Sequence, residues 1–321
     1  MLEISQPGTR YINLDVEIGD SQTALRIGPL GAGRVFRADH RFDEQAFGDL
    51  RDLRSAGTPL QYGKRLMEAA FPDRVRYGYW VADTERQANG GKRLRLRLNI
   101  RPEAKSELHS LWWECLNAES PTQRRLGCSN VTPLSRYAEL PASRHVGPVT
   151  ERKLKVLVVV SNPKDLGQGR WKKYPRLDEE RECEAIRQAL NHLGDRVECH
   201  FQTEPANLYI IEQRLLRERF HILHILAHGA FSERAQKGGL ILEDDDEMAV
   251  LITEDRLRWI AEDLEELRLV VLAVCQSAER SPADPFIGLA PRMVEMGVPA
   301  VVAMQDILEV DTARLFTERF Y

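Results

Sequence analysis

Two stretches of the chain put reactive side chains at the ends of apolar runs. Ile222-Leu223-His224-Ile225-Leu226-Ala227 leads into His228-Gly229, and Leu269-Val270-Val271-Leu272-Ala273-Val274 leads into Cys275-Gln276-Ser277-Ala278. A thiol with an ordinary pKa of about 8.5 is mostly protonated at neutral pH, so it needs a base beside it to become a nucleophile. An imidazole can take that proton and later hand it to a leaving amine. His228 and Cys275 are therefore the candidate catalytic pair, and the chemistry is acyl transfer. Gly229 has no Cβ, so the chain is expected to bend sharply after His228. Its amide, with that of Cys275, would then point at a developing oxyanion.

Both apolar runs are short, rich in branched residues and bounded by polar loops. Such runs read as strands buried on both faces, the mark of a parallel sheet covered by helices. If the two strands are neighbours, their C-terminal ends lie about 4.8 Å apart, and the thiol and imidazole meet in the crevice where open α/β sheets take their ligands.

The surrounding pattern supplies such a sheet. Strands are expected at 154–160, 197–201, 222–227, 269–274 and 300–304, with helices at 177–193, 207–219, 287–296 and 311–321. Gly239 to Ile252 reads as a hairpin around the acidic turn Asp244-Asp245-Asp246-Glu247, and Thr253 as the N-cap of a helix reaching about Leu267. The helix at 177–193 opens on Asp178-Glu179-Glu180, which suits a helix N-terminus. Between it and the first strand lies a polar loop with Gly167, Gly169 and the basic run Arg170-Trp171-Lys172-Lys173-Tyr174-Pro175-Arg176, which reads as an ordinary mobile loop. Strands alternating with helices at this spacing give an α/β domain with helices on both faces of the sheet.

Residues 1–145 form a smaller α+β unit, joined to the domain at 146–321 through the aperiodic, Pro- and Gly-containing stretch 141–152. A strand is expected at 11–18, and one or two helices at 42–71, broken near Gly57-Thr58-Pro59. The segment 92–101 alternates cleanly, with Leu94, Leu96, Leu98 and Ile100 on one face and Arg93, Arg95, Arg97 and Asn99 on the other. That basic face reads as a solvated or salt-bridged sheet surface in preference to a nucleic-acid patch. Trp112 and Trp113, in an amphipathic segment at 108–116, close the core of this unit. Gly31-Ala32-Gly33-Arg34 is a turn: position 36 is Phe where a dinucleotide fingerprint needs Gly, and no Gly-Lys-Ser/Thr follows.

Composition narrows the function classes. In 321 residues, 43% hydrophobic and 29% charged describe an ordinary globular protein with room for about two domains. A net charge of −4 gives no general pull toward nucleic acid or anionic membrane. Five cysteines (Cys115, Cys128, Cys183, Cys199, Cys275) with no CxxC pair fit neither a disulfide framework nor a zinc ribbon. The first residues lack the order of a signal peptide and no apolar run approaches membrane-span length, so the chain reads as cytosolic. His221, His224 and His228 do not form a metal site, because in a strand 221 faces away from 224 and 228. The acidic run at 244–247 lacks calcium-loop spacing. No cofactor or metal is expected.

The ordered series Ile225-Leu226-Ala227-His228-Gly229, Gly239-Leu240-Ile241-Leu242-Glu243-Asp244, Val271-Leu272-Ala273-Val274-Cys275, Gly288-Leu289-Ala290 and Met296-Gly297-Val298-Pro299-Ala300-Val301-Val302-Ala303-Met304 resembles the caspase-type cysteine peptidases, in detail their bacterial CHAT branch. The resemblance extends from about Tyr11 to the end, through Leu94-Arg95-Leu96-Arg97-Leu98 and Leu108-His109-Ser110-Leu111-Trp112-Trp113-Glu114. It implies a caspase-like core, a thiol endopeptidase acting on a partner protein in bacterial stress or antiphage defence, and activation by a sensor module or an associated subunit. It also implies that the last helix continues past Tyr321, as in a fragment or processed product. The related metacaspases hold a basic substrate residue with an acidic group two positions before the cysteine. Here that position is Ala273, and the one two before His228 is Leu226, so Asp165 is the acidic residue left to serve such a pocket. Met304 and Gln305 are placed to line the cleft and pair with an extended substrate. A catalytically silent peptide-binding module of the same fold is the alternative.

Overall fold

The computed structural model describes residues 11–27, 33–50, 57–88, 93–101, 104, 106–118, 124–126, 132–136, 149–203, 205–232, 234, 237–257, 264–274, 285–304 and 310–321. The chain is a mixed α/β protein that divides into two compact units, Met1–Glu139 and Leu140–Tyr321.

In the first unit, β1 (Tyr11–Ile18), β2 (Gln22–Ile27) and β3 (Arg34–Asp39) precede α1 (Glu44–Leu50), α2 (Pro59–Ala70) and α3 (Asp73–Ala88). Then come β4 (Arg93–Ile100), α4 (Ser106–Ser110), the two-residue strands β5 (Asn117–Ala118) and β6 (Arg124–Arg125), and β7 (Leu134–Arg136). The sheet is mixed, in the order β3-β2-β1-β4-β7. Leu94, Leu96 and Leu98 of β4 are fully buried with Leu14, Val16 and Ile18 of β1, as the alternation predicts. The break before α2 is a capping box: the Thr58 side chain accepts from the Gln61 amide while Gln61 reaches back to the Thr58 amide, and Pro59 takes the first helical position. Trp113 is fully buried, its indole N–H donating to the Leu108 carbonyl at 2.8 Å.

The basic face of β4 is answered by β1. The two strands run parallel with Asp15 opposite Arg97. The Arg97 guanidinium holds the Asp15 carboxylate in a two-pronged bond at 2.6 and 2.8 Å. Arg101 pairs with Glu17, and Arg95 lies over the Tyr11 ring. Arg95, Arg97 and Arg101 are thus each engaged within the sheet.

The second unit holds β8 (Leu154–Val160), α5 (Glu179–Asn191), β9 (Val197–Gln202), α6 (Leu208–Glu218) and β10 (Ile222–Ser232). It continues through the hairpin β11 (Lys237–Glu243) and β12 (Ala249–Thr253) to β13 (Leu269–Val274), α7 (Pro285–Glu295), β14 (Val301–Ala303) and α8 (Val310–Phe320). Its sheet has seven strands. β9, β8, β10, β13 and β14 pair side by side, all parallel, while β11 and β12 extend one end of β10 antiparallel. The sheet is therefore mixed and not purely parallel. Helices cover both faces. Leu157, Val159, Leu223, Ile225 and Leu272 pack with Ile211 and Leu215 of α6 and Leu289 and Met293 of α7. Val156, Val158, Val160, Leu226 and Ala273 pack with Cys183, Ile186 and Leu190 of α5 and with Tyr321.

Two expectations need correction. Thr253 ends β12 instead of capping a helix, and it is followed by a single 3-10 turn, Glu254–Leu257. Residues 258–263 of the expected helix lie outside the described residues; Leu257, Leu264 and Leu267 beside them are buried in the core. The run 170–176 is not a free loop: Trp171 and Tyr174 are buried in a cluster with Leu166, Ala230, Ile241 and Ala249. Among the described residues, no helix is long and apolar enough to cross a membrane.

Candidate active site

β10 changes partners along its length, and His228 sits at the change. From Ile222 to Leu226 or Ala227 it is the central strand, with β8 on one side and β13 on the other. The last register partners with β13 are Ala227 and Val274. From His228 onward the strand pairs with β11 instead, His228 opposite Ile241 and Gly229 opposite Leu240. The bend expected after His228 is therefore replaced by an extended arm running to Ser232. Antiparallel pairing keeps Gly229 extended, and its lack of a Cβ is not used for a turn. Cys275 follows Val274 in the chain and lies outside the described residues.

Alternation fixes which face carries the imidazole. Leu226 and Ala273 are register partners, and both pack against α5. His228, two residues beyond Leu226, projects from that same face.

The imidazole is 1% exposed. Its Nε2 lies 2.7 Å from the Pro175 carbonyl oxygen. A carbonyl only accepts, so Nε2 carries the proton and, in the neutral ring, Nδ1 holds the lone pair. The Tyr174 ring rests against the imidazole with centroids 5.5 Å apart. Neither contact was foreseen, since a main-chain carbonyl gives no residue-type signal. The nearest clue was the aromatic pair Trp171 and Tyr174 inside an otherwise polar run.

Pro175 is held from below. Asn162, just past β8, accepts from the Leu177 amide at 2.8 Å and donates to the Leu177 carbonyl at 3.1 Å. Arg176 donates to the Asn162 carbonyl at 3.3 Å. Glu243 in turn accepts from the amides of Asn162 at 2.9 Å and Ala206 at 2.7 Å. Burial pushes its carboxyl above the usual range, and outweighs the two amide donors that favour the charged form.

Asp165 is half-buried, and its carboxylate accepts from the Ala249 amide at 2.7 Å, tying the loop after β8 to the start of β12. Met304 is half-buried directly after β14, and Gln305 lies outside the described residues. Burial raises the thiols of Cys183 and Cys199 to about 11, which keeps both protonated and poorly nucleophilic at neutral pH.

The three histidines of β10 and its approach go to three different places. The Nδ1 of His224 is 2.9 Å from the Tyr321 hydroxyl, and complete burial lowers its pKa to about 4. His221 stands with Glu151 and Glu266, the ligand atoms of the three lying within 4.8 Å of one another. The Nδ1 of His221 accepts from the Lys155 amide at 2.9 Å, so Nε2 is the protonated nitrogen and faces Glu151 at 3.2 Å. A metal on Nε2 would move the proton to Nδ1, against that amide. The donor set does not suit a cation.

No curated protein matches the sequence. The CHAT domain family matches residues 61–321, beginning inside α2, so β1 to β3 and α1 fall outside the match while the segments around residues 94–98 and 108–114 fall within it. The matched residues carry β10, β13 and the segment over His228. The chain belongs to the CHAT domain family, a family related to the caspase-like cysteine peptidases.

Proposed function

We propose that this protein is a caspase-like cysteine endopeptidase working through Cys275 and His228. The observation that carries the reading is the register of β10 and β13. Ala227 and Val274 are partners in neighbouring parallel strands, and the next residue in each chain is a histidine and a cysteine. In this reading the pairing runs on by one step, which would set His228 beside Cys275. Family membership supports the same assignment.

In this reading Nδ1 of His228 takes the thiol proton of Cys275, and the sulfur attacks the scissile carbonyl. The oxyanion is held by the amides of Gly229 and Cys275. The imidazolium protonates the leaving amine, and water then opens the thioester with His228 as base. The Pro175 carbonyl orients the imidazole by fixing its Nε2–H. Asp165, Met304 and Gln305 belong to the proposed substrate cleft, with an extended peptide lying along the exit of β14. The substrate is a protein, and a regulatory module or subunit switches the activity on in a stress or antiphage pathway. A working free thiol fits a reducing cytosol.

The test compares proteome-wide cleavage by the unchanged protein with that by Cys275→Ala and His228→Ala. New protein termini that appear only with the unchanged protein support the peptidase. Identical termini from all three point to a silent peptide-binding module instead.

A further inference from the structure

The segment between Leu166 and Leu177 covers the one imidazole that the proposed reaction needs. Both ends are fixed. Leu166 is buried on the near side, and Leu177 is clamped by Asn162 on the far side. Between them, Gly167 and Gly169 have φ of +78° and +49°, and a Cβ built on either would meet nothing within 4 Å. Two left-handed glycines on either side of Gln168, with open space where a Cβ would stand, let the chain pivot there.

Beyond that hinge the segment is held by two aromatic side chains. Trp171 and Tyr174 are 8% and 5% exposed, and their rings lie 5.9 Å apart. They dock on Ala230 of β10, Ile241 of β11 and Ala249 of β12. The docking is imperfect, because the buried Trp171 indole N–H has no hydrogen-bond partner among the described residues. A buried donor left unmet favours the undocked state, where water satisfies it. The same stretch adds to the hold: Arg170 lies over the Trp171 ring and donates to the Ala249 carbonyl at 3.4 Å, and Lys173 lies over the Tyr174 ring.

Pro175 behaves differently from the residues before it. Its neighbours Arg176 and Leu177 are bonded to Asn162, so Pro175 can keep its carbonyl on His228 while the preceding part moves. We infer that residues 167–174 are a hinged flap, latched by Trp171, whose last residue Tyr174 closes over His228 and must swing away before a peptide can reach it. The structure is the closed state. This inference rests on the reading of His228 as the base only for its consequence on catalysis; the flap itself is defined by Trp171, Tyr174 and the glycines.

The experiment measures exposure of His228 apart from activity. The full chain is treated with diethyl pyrocarbonate, the modified histidines are located by mass spectrometry, and limited trypsin digestion reads the bonds after Arg170, Lys172 and Lys173. Trp171→Ala is expected to speed modification of His228 by at least about tenfold, as local opening becomes easy, and to make those bonds cleavable. Trp171→Phe, which keeps a ring in the pocket, is expected to stay near the unchanged protein in both. His228 modification that is unchanged in a folded Trp171→Ala protein overturns the flap, as does modification in the unchanged protein as fast as in urea. If Trp171→Ala fails to fold, amide exchange of the unchanged protein decides. The amides of Gly167, Trp171 and Tyr174 should exchange together and at least about tenfold faster than those of Leu226 and Ala227. Exchange as slow as the strand's sinks the idea. Exposure of His228 without any peptide cleavage keeps the flap and removes the peptidase reading.

Discussion

Ala227 and Val274 are the last pair in the parallel ladder between β10 and β13, and Ala227 is fully buried there. Its methyl belongs to the cluster packed under α6 and α7. Enlarging it would push β10 away from its neighbours at the point where His228 is aimed. Ala227→Leu is expected to cost about 1–3 kcal/mol, read as a lower urea midpoint. Any cleavage activity should fall more steeply than stability, because the next residue is the proposed base. Activity unchanged at full stability would show that this pair does not set the site's geometry.

Asn162 is expected to act on His228 without touching it. Its side chain meets both the amide and the carbonyl of Leu177, two residues from the Pro175 carbonyl that holds Nε2. Asn162→Ala leaves those groups unmet at a cost of about 1–3 kcal/mol. In the peptidase reading it lowers kcat with little change in KM, since the imidazole is misaimed while the cleft is intact. A change confined to KM would argue that Asn162 serves substrate binding.

His224 predicts an acid limb in stability. Its folded pKa of about 4 lies below the ordinary 6.5 because burial penalises the charged ring. Between those values the unfolded chain binds the proton that the folded chain refuses, so stability is full above about pH 6.5 and falls as the pH drops toward 4. From pH 7 to pH 5 this group alone should remove about 2 kcal/mol. His224→Leu cannot titrate. It loses the bond to the Tyr321 hydroxyl, yet its urea midpoint should vary less between pH 7 and pH 5. An unaltered pH dependence would locate the acid limb elsewhere.

These cases show which parts of the molecule the sequence could carry. The strands at 154–160, 222–227 and 269–274 were legible because burial on both faces leaves an uninterrupted apolar run, and a sheet of this kind has few ways to order them. The helix starts were legible where caps are chemical, as at Thr58, Asp178 and Asn207. The arm of β10 beyond His228 was not, because His-Gly-Ala-Phe-Ser carries turn-like and strand-like signals together and only pairing with β11 decides between them. Nor were β2, β3 and α3, which alternate weakly and depend on contacts with the rest of their unit. At the site, the reactive types were visible and their support was not. A carbonyl from Pro175 and a ring from Tyr174 act through position, which a residue type does not encode.

The alternating arginines of β4 give the last prediction. A basic strand face free to bind phosphates would release counterions and lose affinity steeply with salt. Here Arg97 is committed to Asp15, which is 6% exposed, and Arg101 to Glu17. Removing one partner of a fully buried ion pair costs about 3–5 kcal/mol; because the Arg97 side chain keeps 27% exposure, Arg97→Ala should cost less, about 1–3 kcal/mol. Asp15→Asn should destabilise similarly and, by releasing Arg97, strengthen binding to a short DNA or RNA duplex at low salt. The unchanged protein should bind either duplex weakly, with a shallow salt slope. Tight binding that falls steeply with salt in the unchanged protein would mean that these pairs open to admit phosphate, and that the face serves nucleic acid after all.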